Sequence, residues 1–297
     1  MNLLAFDFGG TSIKYTLWQE NEILDVINFP TPSTWNETKE KLLSIKLKYD
    51  SDYKIDGVAF SFPGCVNHEK GEIQGYSAIP YIHHFPIQQE LSELLQLPIS
   101  MENDANCAAL AEIWKGVAKK ANIVLFVVVG TGVGGSLIIN GKIYTGAHLY
   151  GGELGYMYLN HDKKLKQQTL SDLGTAVGMA VRYCENINVP IGTYSGKEVF
   201  ELAKKGDEKA LSEVETFYRC LSIALFNLQT IIDPEVIVIG GGISANSEII
   251  DTLKNRVNDL LKSSQIKDFT ARILPCYYKN NANLIGAIKN FYDRIIA

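Results

Sequence analysis

Three short apolar runs open the chain: Asn2 to Phe8, Ser12 to Trp18 and Glu22 to Phe29. A Gly-Gly turn and the polar pair Glu20-Asn21 separate them. Runs of this length, bounded by turn formers, predict a β-meander. The spacing then predicts a helix near Thr34 to Tyr49, a strand near Ile55 to Phe60, a helix near Pro86 to Leu95 and a strand at Ile99 to Glu102. The order is β-β-β-α-β-α-β. It restarts after Asn122, with the strand IVLFVVV, the glycine turn GTGVGG, the strand SLIINGK and a turn into Ile143-Tyr144. Helices are expected near Thr175 to Asn186, Gly196 to Lys204 and Lys209 to Ile232, and a strand at Val236 to Ile239. LAFDFGGTSIKYTLWQENEIL and FVVVGTGVGGSLIINGKIY read as one hairpin plan written twice, the mark of a duplicated fold.

No low-complexity linker parts the halves, so the boundary is expected in the helix Ala105 to Gly116. Residues 1–115 would form an N-terminal lobe and 116–281 a C-terminal lobe. The last helix, Ala282 to Ile296, carries Leu284, Ile285, Ile288, Phe291, Tyr292 and Ile295 at helical spacing and needs a partner surface. Residues 282–297 are expected to return to the first lobe.

Composition narrows the class. The 297 residues include 46% hydrophobic and 21% charged positions, an ordinary globular balance that can bury a core in each of two domains. The longest pure apolar run, Ile123 to Val129, is far short of the roughly 20 residues of a membrane-spanning helix. The start, MNLLAFDFGG, has no basic segment before its apolar residues, so a cytoplasmic protein is expected. A net charge of −5 leaves no electrostatic footprint for nucleic acid. Cys65, Cys107, Cys184, Cys220 and Cys276 are scattered, with no C-x-x-C pair, and fit reduced thiols. The histidines make no metal-ligand spacing, and His83-His84 reads as loop.

Chemistry concentrates in a few motifs. Gly130-Thr131-Gly132-Val133-Gly134-Gly135 matches G-x-G-x-x-G after a strand, but a strand follows where a dinucleotide fold needs a helix. The loop is either a tight hairpin or a row of bare amides able to hold phosphate oxygens. Asp7-Phe-Gly9-Gly10-Thr11-Ser-Ile-Lys14 sets an acid, two glycines, a hydroxyl and a cation within eight residues, the mixture that phosphate and magnesium require. Gly240-Gly241-Gly242 follows a strand and offers a backbone ledge for an adenosine or its phosphate. In Glu102-Asn103-Asp104-Ala105-Asn106, helix capping accounts for one polar group. Asp104 could instead accept a proton while Asn103 orients a hydroxyl. Glu153, in the frame GGELGY, is either a solvated loop acid or a partner for sugar hydroxyls.

LLAFDFGGTSIK, MENDANCAA, VVVGTGVGGSLIINGKIYTGAHLYGGELGYM and VIVIGGGIS resemble, in order and spacing, the signatures of the ROK family of repressors and sugar kinases. The resemblance spans nearly the whole chain. It implies an α/β, actin-like (ribonuclease-H-like) two-lobed ATPase fold of duplicated β-β-β-α-β-α-β units around a cleft, using ATP and magnesium to phosphorylate a hexose. Carried over, Asp7, Gly9, Gly10, Thr11 and Lys14 look like the first phosphate loop, with Asp7 on hydrated magnesium. Gly130, Thr131, Gly132 and Gly134 look like the second, and Gly241 and Gly242 like the adenosine ledge. Asn103 and Asp104 resemble the sugar-holding pair, with Asp104 the base for the carbon-6 hydroxyl. Glu153 resembles the acid on the ring hydroxyls, and Pro63-Gly64 a backbone segment bordering the sugar.

Two departures bear on substrate. Tyr156 stands where many family kinases have His, and no cysteine lies between Cys107 and Cys184, so no zinc loop is expected. The second sugar-binding Glu of such kinases would fall near Thr169, where this chain has no Glu. Both missing groups act near the anomeric end, and family members without the zinc loop include β-glucoside kinases. A β-glucoside is therefore the leading expected substrate and glucose the next, with Tyr156 either touching it or filling vacated space. N-acetylmannosamine or fructose kinase, a sugar-sensing protein and an actin-like ATPase are the rivals. Family repressors carry a helix-turn-helix before the first strand; here the strand begins at residue 2, so that part is expected to be missing. A homodimer is expected from the resemblance.

Overall fold

The computed structural model describes residues 1–160 and 168–296. In chain order the elements are β1 (Leu3–Phe8), β2 (Ser12–Gln19), β3 (Glu22–Ile23), β4 (Ile27–Pro30), α1 (Trp35–Asp50), β5 (Gly57–Phe62), β6 (Cys65–Asn67), β7 (Glu72–Gln74), α2 (Ile87–Leu95), β8 (Ile99–Asn103) and α3 (Asp104–Trp114). They continue with β9 (Val124–Val129), β10 (Val133–Ile139), β11 (Lys142–Ile143), α4 (Leu170–Leu173), α5 (Ala176–Asn186), α6 (Gly196–Lys204), α7 (Glu208–Ile232), β12 (Val236–Gly240), α8 (Ser247–Ser263), β13 (Ile273–Pro275) and α9 (Ala282–Phe291). Two compact units result. One comprises Met1–Lys119, Thr145–Gly151 and Asn280–Ala297, the other Lys120–Tyr144 and Gly152–Lys279.

The first unit is built on a sheet ordered β3-β2-β1-β5-β8, with β4 also paired to β2. Every residue of β1 and β5 is buried, as near-continuous apolar runs require of central strands covered on both faces. Phe6 stacks on Phe60 with centroids 5.4 Å apart, and Phe8 meets Phe62 at 4.5 Å. Thr34 caps α1 in a reciprocal capping box with Glu37. Helix α9 packs against α3 so closely that a Cβ on Gly286 would lie 1.6 Å from the Cys107 carbonyl oxygen.

The second unit repeats the plan as β11-β10-β9-β12-β13. Along each order the first two pairs are antiparallel and the last two parallel. Around the second sheet, the core of Leu125, Val127, Ile237 and Ile239 is shared with Phe217, Leu221 and Leu225 of the long α7.

Four local expectations are corrected. The third strand is broken: β2 pairs Trp18 with Ile23 but Tyr15 with Ile27, a one-residue slip that makes a bulge at Leu24–Val26. The buried Thr16 hydroxyl donates to the Leu24 carbonyl there and takes up the bond the ladder loses. The hairpin β6–β7 escaped the periodicity because it is three residues a side. Strand β10 begins at Val133, so Gly134 and Gly135 pair with Val128 and Val127 and only Gly130 to Gly132 form the turn. Past Phe291 the terminal helix widens into a π segment, Tyr292–Ile296, and residue 297 lies outside the described residues.

Candidate active site

Asp7 is the penultimate residue of β1, whose register sets it opposite Lys14 of β2 on one side and Ser61 of β5 on the other. Its carboxylate is buried; Oδ1 accepts from Ser61 Oγ and Asn283 Nδ2, both at 3.0 Å, and Oδ2 lies 3.8 Å from Lys14 Nζ. Burial pushes the Asp7 carboxyl up from its ordinary value, against the pull of Asn283, Lys14 and Ser61. The turn after it is closed by Gly9 N–H donating to the Ser12 carbonyl at 3.0 Å, and Gly10 and Thr11 are exposed.

Across the sheet, Ser61 pairs in register with Glu102 of β8, and Phe62 with Asn103. Asp7, Ser61 and Glu102 thus form one row, two strand spacings or about 10 Å from end to end. Asn103 is the N-cap of α3: its Oδ1 accepts from Asn106 N–H at 3.1 Å. Capping uses only the oxygen. The side-chain nitrogen donates to the Gly64 carbonyl and to Asp104 Oδ1, each at 3.0 Å. Asp104 is half-buried, and its Oδ1 also accepts from Ala105 N–H at 2.8 Å. Gly64 adopts φ +102° directly after β5. The buried Cys107 thiol beneath this end is pushed well above its ordinary value by burial, then by the charges of Glu102, Asp7 and Asp104.

In the second unit, Gly130 N–H closes the turn on the Gly132 carbonyl at 2.9 Å, and Ser171 Oγ accepts from Val133 N–H at 3.0 Å. Gly130 and Thr131 border a pocket of about 510 Å³ with Gly242, Ala176, Phe200 and Tyr218. That size suits a small-molecule ligand. Lys197, Lys204 and Asn246 add polar groups to its wall. Glu153 precedes a 3-10 turn, Leu154–Tyr156, seated directly on β10: a Cβ on Gly155 would lie 2.1 Å from the Val133 carbonyl oxygen. Burial pushes the Glu153 carboxyl up. Tyr156 is 70% exposed.

In each unit, then, the candidate groups sit at the carboxyl ends of neighbouring parallel strands, where open α/β sheets bind ligands. The first unit gathers Asp7, Gly9, Gly10, Thr11, Lys14, Gly64, Asn103 and Asp104 at the ends of β1, β5 and β8; the second gathers Gly130, Thr131, Gly132, Gly241 and Gly242 at the ends of β9 and β12. A profile of the ROK family matches residues 3–293.

The chain belongs to the ROK family.

Among ROK relatives, a β-glucoside kinase of Listeria monocytogenes is 30% identical over 98% of this chain and 97% of its own length. An N-acetyl-D-glucosamine kinase of Mannheimia succiniciproducens is 31% identical over 89% and 92%. The crystal structure of a ROK family protein from Streptococcus pneumoniae in complex with sucrose superposes with a TM-score of 0.87, at 34% identity, covering 99% of this chain and 98% of that one. The chain is therefore an actin-like sugar kinase. Among the described residues no helix is long and apolar enough to cross a membrane.

Sequence reasoning missed Ser61 and Asn283, which hold Asp7, His68, which holds Glu102, and the pocket wall of Phe200, Tyr218 and Asn246. No local signal marks them, because each reaches its partner from a distant segment. Gly134 is the second residue of β10, two positions beyond the turn it was grouped with. Thr169, near which the family's second glutamate is expected to fall, caps α4, its side chain accepting from Asp172 N–H.

Magnesium fits the first unit only as a mainly hydrated ion. Among the described residues no three His, Cys, Asp or Glu side chains converge to cage a metal. Asp7 offers a single carboxylate, already holding two hydrogen bonds on one oxygen, and magnesium commonly keeps several waters beside one or two carboxylates and the phosphates.

Proposed function

We propose that this kinase transfers the γ-phosphoryl group of ATP to the 6-hydroxyl of a β-glucoside. The observation that carries the reading is the Asn103–Asp104 pair. Asn103 spends its oxygen on capping and still aims its nitrogen at Asp104 Oδ1, which leaves an oriented carboxylate at a helix N-terminus. Asp104 orients the sugar hydroxyl and takes its proton as the O–P bond forms and ADP leaves. Magnesium bound with ATP would neutralise phosphate charge, with Asp7 holding its water shell. Gly10, Thr11 and Lys14 in the first unit, and Thr131 and Gly132 in the second, donate to phosphate oxygens, while Gly9 and Gly130 shape the loops by closing the two turns with their own N–H groups. Gly241 and Gly242 border the adenosine. In this assignment residues 1–115 with the terminal helix carry the sugar and first phosphate loop, and 116–281 the nucleotide.

Glu153 binds ring hydroxyls. Its half-buried carboxylate sits in the same short segment as the exposed Tyr156, which stands where many family kinases have His on a sugar hydroxyl. Two similarities support a glycoside: the β-glucoside kinase relatives, and the sucrose complex, whose glucose carries a second ring on its anomeric carbon. The N-acetyl-D-glucosamine kinase relative favours an amino sugar as the second reading. A cytoplasmic homodimer goes with either, and light scattering in solution tests the dimer.

A coupled ADP-release assay over methyl β-glucoside, cellobiose, glucose, N-acetylglucosamine, N-acetylmannosamine and fructose separates these substrates, with NMR locating the phosphate. The highest kcat/KM is expected for a β-glucoside; a clear preference for any unsubstituted sugar overturns that choice. Asp104→Asn should cut kcat at least about 100-fold with ADP binding unchanged. Retained turnover would remove Asp104 from its role.

A further inference from the structure

Glu102 is 1% exposed, and a carboxylate that deep is costly unless every lone pair is used. Its Oε1 accepts from Asn103 N–H at 2.8 Å and from Asn106 Nδ2 at 3.0 Å. Its Oε2 accepts from His68 Nε2 at 2.9 Å, and Arg294 Nη2 lies 3.9 Å away. Burial pushes the Glu102 carboxyl up, but the hydrogen bond and charge of His68, with Asn106 and Asn103, outweigh it and hold the group below its ordinary value. The donors come from three places: the turn of the β6–β7 hairpin, the first turn of α3, and the peptide joining Glu102 to Asn103.

These bonds close a ring around the proposed base. Glu102 fixes the Asn103 amide and the Asn106 side chain; Asn106 N–H fixes Asn103 Oδ1; Asn103 Nδ2 holds Asp104 Oδ1. A well-packed apolar set in place of Glu102 and its side-chain partners would serve stability as well or better, since buried charges seldom repay their desolvation. The acid does something an apolar residue cannot: it orients one peptide plane and one side-chain amide at the start of the helix. Arg294 donates to Asn290, whose own amide reaches the Met101 carbonyl, so the terminal helix braces the same corner.

We propose that Glu102, clamped by His68, is the positioning residue for the Asn103–Asp104 pair. The inference rests on Asp104 being the base. His68 is the place to test it, because Glu102→Ala strands buried donors and destabilises the fold, while His68 lies on a hairpin turn and is 21% exposed. His68→Ala removes the donor. Glutamine carries its amide nitrogen where Nε2 stands, whereas asparagine reaches only as far as Nδ1. Steady-state kinetics of the wild type and of His68→Ala, His68→Gln and His68→Asn are measured with the best sugar of the panel.

The alanine and asparagine variants should lose about 10- to 100-fold in kcat, the scale of a misplaced catalytic group, with KM for ATP within about twofold of wild type. His68→Gln should recover to within about threefold of wild type, which a merely space-filling ring would not allow. Wild-type kcat in His68→Ala, or a glutamine variant as slow as the alanine one, overturns the inference alone. A wild type that phosphorylates no sugar overturns the proposed reaction and the inference together.

Discussion

The proposed base and its supports differ in how they are held. Asp104 is half-buried and bonded to its neighbours in the chain, whereas Asp7 is buried and held by Ser61 and Asn283, 54 and 276 positions away. Gly241 is held differently again, by its backbone. It adopts φ +79°, ψ −173°, a region open essentially to glycine, and a Cβ there would lie 2.2 Å from the Val129 carbonyl oxygen. Gly241→Ala should therefore displace the ledge beside the pocket and raise KM for ATP at least about tenfold, with sugar binding to the protein unchanged by calorimetry. The acids of the motifs were legible in the chain because capping, charge and loop chemistry act between residues a few positions apart. Ser61, Asn283 and His68 were not, because an ordinary serine, asparagine or histidine gains its role only from the strand pairing or hairpin that delivers it.

The elements themselves were largely readable, since apolar periodicity is written locally: α6 at Gly196–Lys204 matches its apolar spacing, and α7 starts within a residue of it. The misses are short or irregular: the three-residue strands β6 and β7, the four-residue α4 and the bulge between β3 and β4. Too few residues lie in each to establish a period. Helix α9 adds a constraint that its apolar stripe does not disclose. Its stripe says that it must pack; Gly286 says how closely, because its Cα rests on the Cys107 carbonyl of α3. Gly286→Ala should push the two helices apart and cost about 1–3 kcal/mol, read from the denaturant midpoint at constant m-value. Because α9 also carries Asn290, which braces Met101, kcat should fall as well.

At the scale of the whole molecule, two acids, one buried and one half-buried, pull stability in opposite directions with pH. Glu102 has its carboxyl lowered by His68, Asn106 and Asn103 against burial, so its contribution is present above the unfolded value and is lost as pH falls through the folded one. Glu153 has its carboxyl raised by burial; between the unfolded and the raised folded value the native chain holds the extra proton, and stability falls as pH rises across that window. Glu153→Gln should consequently unfold at a higher temperature than wild type at neutral pH, lose that advantage below the unfolded value, and raise KM for the sugar. Thermal melts across pH check the first two outcomes, and an unchanged profile would remove Glu153 as a strained, substrate-directed acid. By itself the chain's order of apolar and polar residues determined the duplicated strand plan, the glycine turns and the acids beside them, because each arises from spacing along the backbone. Only the tertiary structure decided which groups neutralise, orient or strain those acids, because a buried charge is settled by whatever distant donors the packed sheet and its helices bring within about 3 Å.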